Sequence, residues 1–477
     1  MRSGLRQAIL ISLFLATTVV IGFKPHPSGT QGAVGELLVS AGEAPVAIAA
    51  PGTAPELSPT TVATSVVTAP PTAGSRQLEI EVYPSDADAV MEIHDITGSQ
   101  AVNGATFTGE LEGVVTVDVT AEGFRAESHT IGAEVGGRRE VFLDPSDQAV
   151  DRLVAFVTGS APKQVAFTPD GSELWVTLLA GSGLEIHSPT TGELLAEIDL
   201  PEAGSVEIIF DHAGETAWVS QMETARVYEI DVASRQIRRT LETGGSWTKV
   251  MALSVDETRL WASNWVSNDI SEFDLATGEM VRRIPSVATP RGLAAVGDTL
   301  YVAGYDGGDI EAIDLATGEG TVLEHTGGAM RHLVADPSGD VVYASDMARD
   351  AIFVIDARTG TVSHLATTDR LPNTIDLTPD GRLLAVSNRG RNNPDTYSLP
   401  GPQWGSVLLI DTASGEVLDA IVGGNQPTGL DISSDGRMLA YSDFLDNRVT
   451  VVEVPPFDDL AAAGGGRADT YKAELEK

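Results

Sequence analysis

Pro162-Lys-Gln-Val-Ala-Phe-Thr-Pro-Asp-Gly171, Leu174-Trp-Val-Thr177, Leu184-Glu-Ile-His187 and Thr190-Thr-Gly192 read in order as strand, turn, strand, strand and turn. The strands are short apolar or alternating runs, and the turns carry the Asp-Gly or Thr-Gly chemistry that supplies positive φ. The same series returns at 210–231, 253–278, 293–318, 333–360, 375–415 and 430–454. Third strands end at His187, Asp231, Asp274, Asp314, Asp356, Asp411 and Glu453, in steps of 44, 43, 40, 42, 55 and 42 residues. A seven-fold repeat of this period is the signature of propeller blades, and the long step marks an insertion in the sixth.

A four-stranded sheet of this size cannot cover both of its faces, so the repeats must stack radially, each against its neighbour. The last repeat stops after its third strand, while Leu153-Val-Ala-Phe-Val157 stands unattached just ahead of the first. That segment is expected to supply the missing outer strand and close the ring. The fold expected is all-β: a seven-bladed β-propeller over 151–455, preceded by a small β-sandwich.

Phe-Thr-Pro-Asp-Gly at 167–171, Asp274-Leu-Ala-Thr-Gly278, Asp314-Leu-Ala-Thr-Gly318 and Asn425-Gln-Pro-Thr-Gly-Leu-Asp431 resemble the turns of surface-layer, YVTN-type seven-bladed propellers of exported microbial proteins. The resemblance covers about three hundred residues and implies the fold. The matched positions are turns and core, so it implies no activity, and this architecture serves both binding modules and enzymes.

Three further pieces precede the propeller. Arg2 and Arg6 followed by the uncharged, mostly apolar run 8–23 read as an export signal over 1–23. With no small-x-small cleavage site after the run, an uncleaved signal anchor is preferred over a cleaved peptide, holding the protein at the inner membrane with its domains outside the cytoplasm. Residues 24–76 form a Pro/Ala/Thr-rich linker, with eight prolines and four charged residues between Lys24 and Ser75. Such a chain is a flexible tether reaching ~40 Å. The segment 77–146 carries Leu78-Glu-Ile-Glu-Val-Tyr-Pro84, Val90-Met-Glu-Ile93, Val114-Val-Thr-Val-Asp-Val119 and Glu122-Gly-Phe124. These resemble β-sandwich modules of the PEGA and carboxypeptidase-regulatory type, although the turn equivalent to the PEGA signature reads Val102-Asn-Gly-Ala105. The resemblance implies a spacer or adaptor. Residues 456–477 are expected to be a flexible tail.

The net charge of −38 argues against nucleic acid and against electrostatic attachment to anionic lipid, leaving the N-terminal segment as the membrane contact. The absence of cysteine excludes a lipoprotein anchor, disulfides, a Cys-x-x-Cys-His haem site and a thiol nucleophile. No cofactor or metal is expected, because no repeated carboxylate spacing of a calcium loop is present.

Against this acidic background, one position per repeat is conspicuously basic. Aligned on Asp170-Gly171, the repeats begin their innermost strands with Lys163, Val206, Lys249, Arg291, Arg331, Asn373 and Thr428. Four of the seven are cationic where composition alone places fewer than one. In a propeller this position opens onto one mouth of the central channel. The loops between second and third strands open on the same face and bring Asn264, Trp265, Asn388, Arg389 and Asp443 nearby, and His332 follows Arg331. The insertion at 388–404 is long enough to lean over the mouth and adds Arg391, Asn392, Tyr397 and Trp404 as a lid.

These residues describe a cationic pocket with aromatic side chains for stacking. Its expected partner is an anionic small molecule, a cell-envelope glycan or a protein, since arginine offers paired donors to carboxylate, phosphate and sulfate. Three functions are open: a binding or scaffold module; an enzyme of lactonase or lyase type using Glu207, His332, Arg291 and Arg331; and a structural surface-layer or adhesion component. No catalytic residue is assigned, and enzyme activity is the less favoured reading.

Overall fold

The computed structural model describes residues 75–477 apart from 86, 133–135 and 464–465. The expected signal anchor and nearly all of the expected linker lie outside the described residues. Among the described residues no helix is long and apolar enough to cross a membrane.

The segment after the linker forms two sheets. One has three strands, Arg76–Tyr83 flanked by Thr106–Leu111 and Gly137–Phe142; the other has four, led by Val90–Asp95 and Val115–Thr120. Strict alternation turns Leu78, Ile80 and Val82 of one sheet and Val115, Val117 and Val119 of the other into a shared core with Met91 and Ile93.

Seven four-stranded antiparallel sheets follow, starting at Pro162, Ser205, Thr248, Pro290, Met330, Pro372 and Pro427. The innermost strand of each touches that of the next, and Pro427–Ile432 returns to Pro162–Phe167, so the sheets form a closed seven-bladed propeller. Blade 7 takes its fourth strand from Asp151–Val157, antiparallel to Arg448–Glu453, with Val154 opposite Val451 and Phe156 opposite Val449. Val154 and Phe156 thereby join the core between blades 7 and 1, where Phe156 lies 4.4 Å from the His187 ring. Trp175, Trp218 and Trp261, on equivalent second strands, fill the spaces between blades.

Each innermost strand breaks register with its second strand just after its first residue. A hydroxyl on the second strand fills the gap. The backbone N–H groups of Gln164, Val250, His332, Thr374 and Gly429 donate to Thr177, Ser263, Ser345, Ser387 and Ser442. The hydroxyls of Thr177, Ser220, Ser263, Ser345 and Ser387 donate onward to the carbonyls of Val206, Lys249, Arg291, Asn373 and Thr428 in the next blade. Blades are thus stitched at the position that carries the basic row. Neighbouring innermost strands also run close there: a Cβ on Gly429 would stand 2.7 Å from the Gln164 Cα. In five blades the residue before the strand is left-handed, at Ala161, Trp247, Thr289, Leu371 and Gln426.

The C-terminal segment departs from the flexible tail expected. A helix, Phe457–Ala463, and two short turns run against the outermost strand of blade 6, Val417–Val422, and bury Leu460, Tyr471 and Leu475. Arg467 is 2% exposed; it donates to the Ala420 carbonyl at 2.9 Å and pairs with Glu474 at 2.7 Å and Asp147 at 3.2 Å. Apolar side chains spaced along the segment give it a face to bury, and the edge of blade 6 offers the surface.

Candidate functional site

The row residues converge on the axis. Lys163 of blade 1 feels the charges of Arg331, Arg291, Arg389 and Lys249, which come from four other blades. Lys249, Arg291 and Arg331 are 4%, 5% and 4% exposed. Among the described residues, Lys163, Arg291, Arg331 and Arg389 form no ion pair within 4.0 Å of a carboxylate. Aromatic rings stand in for carboxylates. Lys249 Nζ lies 4.5 Å above Trp265 and 5.6 Å from Trp247. Arg291 is 5.9 Å from Trp265, Arg331 5.8 Å from Tyr305, Arg389 5.6 Å from Tyr397 and Lys163 5.5 Å from Phe444. Ring faces attract cations by about 0.5–2 kcal/mol, which leaves most of the cost of dehydration uncovered.

The cost appears in the protonation equilibria. Burial pushes Lys163 and Lys249 well below the usual lysine value, and the surrounding arginines push the same way. Arg291 is driven down by burial and by Arg331, and Arg389 to about 10 for the same two reasons. Arginine stays ionised at neutral pH, so for these two side chains the shift reflects the cost of dehydrating a charge first and repulsion from Arg331 second. Burial and the charge of Arg291 lower His332 to about 4, leaving its imidazole neutral at pH 7. Glu207 of blade 2 stands among these cations, yet burial raises it to about 7.

Polar atoms of the mouth also lack partners. Buried Arg291 Nε, Arg389 Nε, Asn373 Nδ2 and His332 Nδ1 have no hydrogen-bond partner. Arg331 Nε donates to Asn373, Arg389 to Gln426, and Lys249 Nζ lies 2.6 Å from Met222 Sδ. Buried polar atoms without partners are rare in folded proteins, and four of them around one opening make it the candidate site.

The expected site residues divide into two groups. Lys163, Lys249, Arg291, Arg331, His332, Trp265, Arg389 and Tyr397 are gathered at or around the mouth, whereas Asn388 is fully buried and donates to the Val386 carbonyl of its own strand at 3.1 Å. Asn264 is committed elsewhere, donating to Asp269 and Ser271 at 2.8 Å within blade 3 and accepting from Thr248. Asp443 is also engaged, accepting from Arg448 at 2.6 Å and from the Gly424 N–H at 2.8 Å. Both sit at the ends of second strands, where Asn264 ties side chains of its own blade together and Asp443 satisfies loop backbone and a blade-internal cation. Of the lid, Arg391 turns outward to Glu476 at 2.6 Å, and Asn392 is exposed. Trp404 lies away from the mouth, edge-on to Tyr83 and Phe142 of the sandwich at 5.1 and 5.2 Å, with Lys477 Nζ 3.9 Å above its ring. Its apolar area is used to dock the sandwich onto the ring.

Asp376 and Asp431 were not anticipated. They occupy the same position, three residues beyond the row, in blades 6 and 7; the other blades carry Ala166, Ile209, Ala252, Ala294 and Val334 there. Asp376 accepts from the Ile432 N–H at 2.8 Å and Asp431 from the Phe167 N–H at 2.7 Å, so each carboxyl reaches into the next blade. The alignment of repeats contained this signal.

No family model matches the chain. The uncharacterized protein YncE of Salmonella typhi is 23% identical over 188 residues, 38% of this chain and 53% of YncE. Among solved structures, a chain of the Kuenenia stuttgartiensis hydrazine synthase aligns with a TM-score of 0.55 and 19% identity over 63% of this chain and 97% of its own, which shows the fold alone. Antigen Lp49 of Leptospira interrogans is 32% identical over an alignment of 353 residues that covers 71% of this chain and 77% of the antigen. A match of that extent spans more residues than the propeller holds, and on it this chain belongs to the family of antigen Lp49.

Proposed function

We propose that this is an exported binding protein whose cationic channel mouth recognises an anionic ligand. The observation that carries the reading is the convergence of Lys163, Lys249, Arg291, Arg331 and Arg389, from five blades, on an opening where Glu207 is the facing carboxylate. Dehydrated like charges destabilise a fold, so their grouping is intelligible if an arriving anion offsets the cost. A glycan or protein partner would have to present such an anion to the same donors.

The test is calorimetric titration of the full chain with sulfate, ethanedisulfonate, glucuronate and a neutral disaccharide. The anions should bind and the neutral sugar should not. Arg291→Gln and Arg331→Gln should each weaken binding roughly 10- to 100-fold, since hydrogen bonds to charged groups contribute about 1.5–3 kcal/mol. Both should leave the melting temperature unchanged or raised, because each removes a buried like charge. Undiminished affinity would overturn the binding reading. A lowered melting temperature would favour a structural ring in which these cations hold the blades together.

Export and tethering rest on Arg2, Arg6 and the apolar run 8–23, on the linker that follows, and on the family relative being an antigen. The sandwich is read as a spacer of PEGA or carboxypeptidase-regulatory type between tether and ring. Fractionated cells should hold the full chain in the envelope and a chain lacking residues 1–23 in the cytoplasm; the same distribution for both would refute the anchor.

A further inference from the structure

We infer that Glu207 couples anion binding at the mouth to proton uptake, and that the mouth is built for a compact ligand carrying at least two negative charges; this rests on the binding reading above.

Blade 2 departs from the basic row by placing Val206 there, and its carboxylate comes one residue later. At that next position the other blades carry Gln164, Val250, Gly292, His332, Thr374 and Gly429, so the acid is peculiar to blade 2. Glu207 is 7% exposed, and no described residue donates a hydrogen bond to its carboxylate. It is held by the field of Arg291, Lys163, Arg331 and Lys249. Among the described residues, the other charged or titratable groups around the mouth are Arg389 of blade 6, neutral His332 of blade 5, Tyr305 of blade 4 against Arg331, and Tyr397 of the insertion against Arg389; blade 7 contributes the uncharged Thr428. A carboxylate held by field and not by contacts behaves as an internal counter-ion standing where a ligand's anion would stand.

Entry of an anion therefore sets two negative charges against each other in a dehydrated space. Glu207 sits near 7 before this happens, and the added negative charge moves it upward, so the carboxylate takes a proton from solvent and becomes a neutral acid. No other bond is made or broken. Burial and the arginines also depress Lys163 and Lys249, so any proton that an arriving anion draws onto them adds to the uptake with the same sign. Because the protonated form of Glu207 favours the complex, affinity is highest below its free value and falls as pH rises through about 7.

The ligand's size and charge follow from where the unpartnered donors lie. Arg291 Nε belongs to blade 4, Arg389 Nε and Asn373 Nδ2 to blade 6, and Arg331 of blade 5 stands between them. Arg291, Arg331 and Arg389 outnumber the one carboxylate, Glu207, by two charges, so two anionic groups on a short frame match them where a single group leaves a positive charge unmet. With Arg291 and Arg331 only 5% and 4% exposed, a small ligand reaches them, and an extended polymer would meet the aromatic side chains around them first.

Titrating the full chain with ethanedisulfonate, whose charge is constant across this range, tests the inference. In the native protein affinity should fall roughly tenfold or more between about pH 6 and about pH 8, and paired buffers of different ionisation enthalpy should show net proton uptake. Glu207→Gln, checked for an unchanged melting profile, should bind more tightly at the higher pH and take up fewer protons, the remainder belonging to the two lysines. Equal uptake with and without Glu207 overturns the coupling. Methanesulfonate binding as tightly as ethanedisulfonate overturns the two-charge requirement. Absence of binding by any anion at the lower pH removes the binding reading itself, and the coupling with it.

Discussion

A chain that starts at Thr158 should fail to fold cooperatively, whereas one that starts at Gln148 should melt as a propeller. The two differ by the closing strand, Asp151–Val157, and the three residues before it. Without it, Val449 and Val451, both fully buried, lose their neighbour, and the core between blades 7 and 1 loses Val154 and Phe156. Each buried valine or phenylalanine is worth about 1.5–3 kcal/mol, so the loss approaches the ~5–15 kcal/mol that holds an ordinary domain together. An unpaired apolar edge on Arg448–Glu453 would then invite association between chains. Val150, also removed, packs in the core of blades 6 and 7 and donates to Asp419. The expected readings are a non-cooperative melt and aggregated elution for the shorter chain. Both chains lack the sandwich, so the contrast isolates the closure. A shorter chain melting within about 5 °C of the longer, roughly 1–2 kcal/mol for a protein of this size, would show that the ring does not depend on it.

Asp431→Asn should raise the melting temperature at about pH 8 and flatten its dependence on pH above about 5. Burial lifts Asp376 to about 6, and burial together with the charge of Asp376 lifts Asp431 well above the ordinary carboxylate range. Both values are raised relative to the unfolded chain, so the fold prefers the protonated acids. Their contribution is fully present below about pH 4 and is lost as pH rises through the folded values, from about 6 upward. An amide at 431 keeps an oxygen to accept from Phe167 N–H, offers a donor to Asp376 and removes one of two facing charges. The gain at about pH 8 should be about 1–2 kcal/mol, or a few degrees, and should shrink at about pH 5. Calorimetric melts at both values decide it. An unchanged or lowered melting temperature at the higher pH would mean that the pair is not repulsive.

The blades were legible because turn chemistry and apolar strand runs recur with a fixed step, and the lone run 153–157 was legible as the strand that the last repeat lacked. The basic row was legible by alignment for the same reason: each residue holds the same place in a repeating backbone. Asn264 and Asp443 were misplaced because a polar residue at a strand end serves the side chains and loop backbone of its own blade as readily as a ligand, and only coordinates distinguish these uses. Trp404 was misplaced because an insertion has no counterpart in the other repeats, so nothing in the pattern says which way it folds. The docking of Arg467 and Tyr471 was hidden by the glycines and alanines around them, which resemble a linker until a surface is present to receive the apolar face. Asp376 and Asp431 were visible in the alignment, but their importance lies in facing each other, and that depends on the curvature of the ring.

The hydroxyl stitching between blades separates two tasks that most binding sites mix. Thr177, Ser220, Ser263, Ser345 and Ser387 hold the backbone at Val206, Lys249, Arg291, Asn373 and Thr428 by its carbonyls and not by those side chains. The frame is therefore indifferent to what it displays. One position per blade works as a letter in a seven-letter word, and each of the five letters so held can be rewritten while the grammar of the ring stays intact. Evolution, or a designer, can retune recognition here by exchanging single side chains at the mouth, with no new loop to invent and no core to repack.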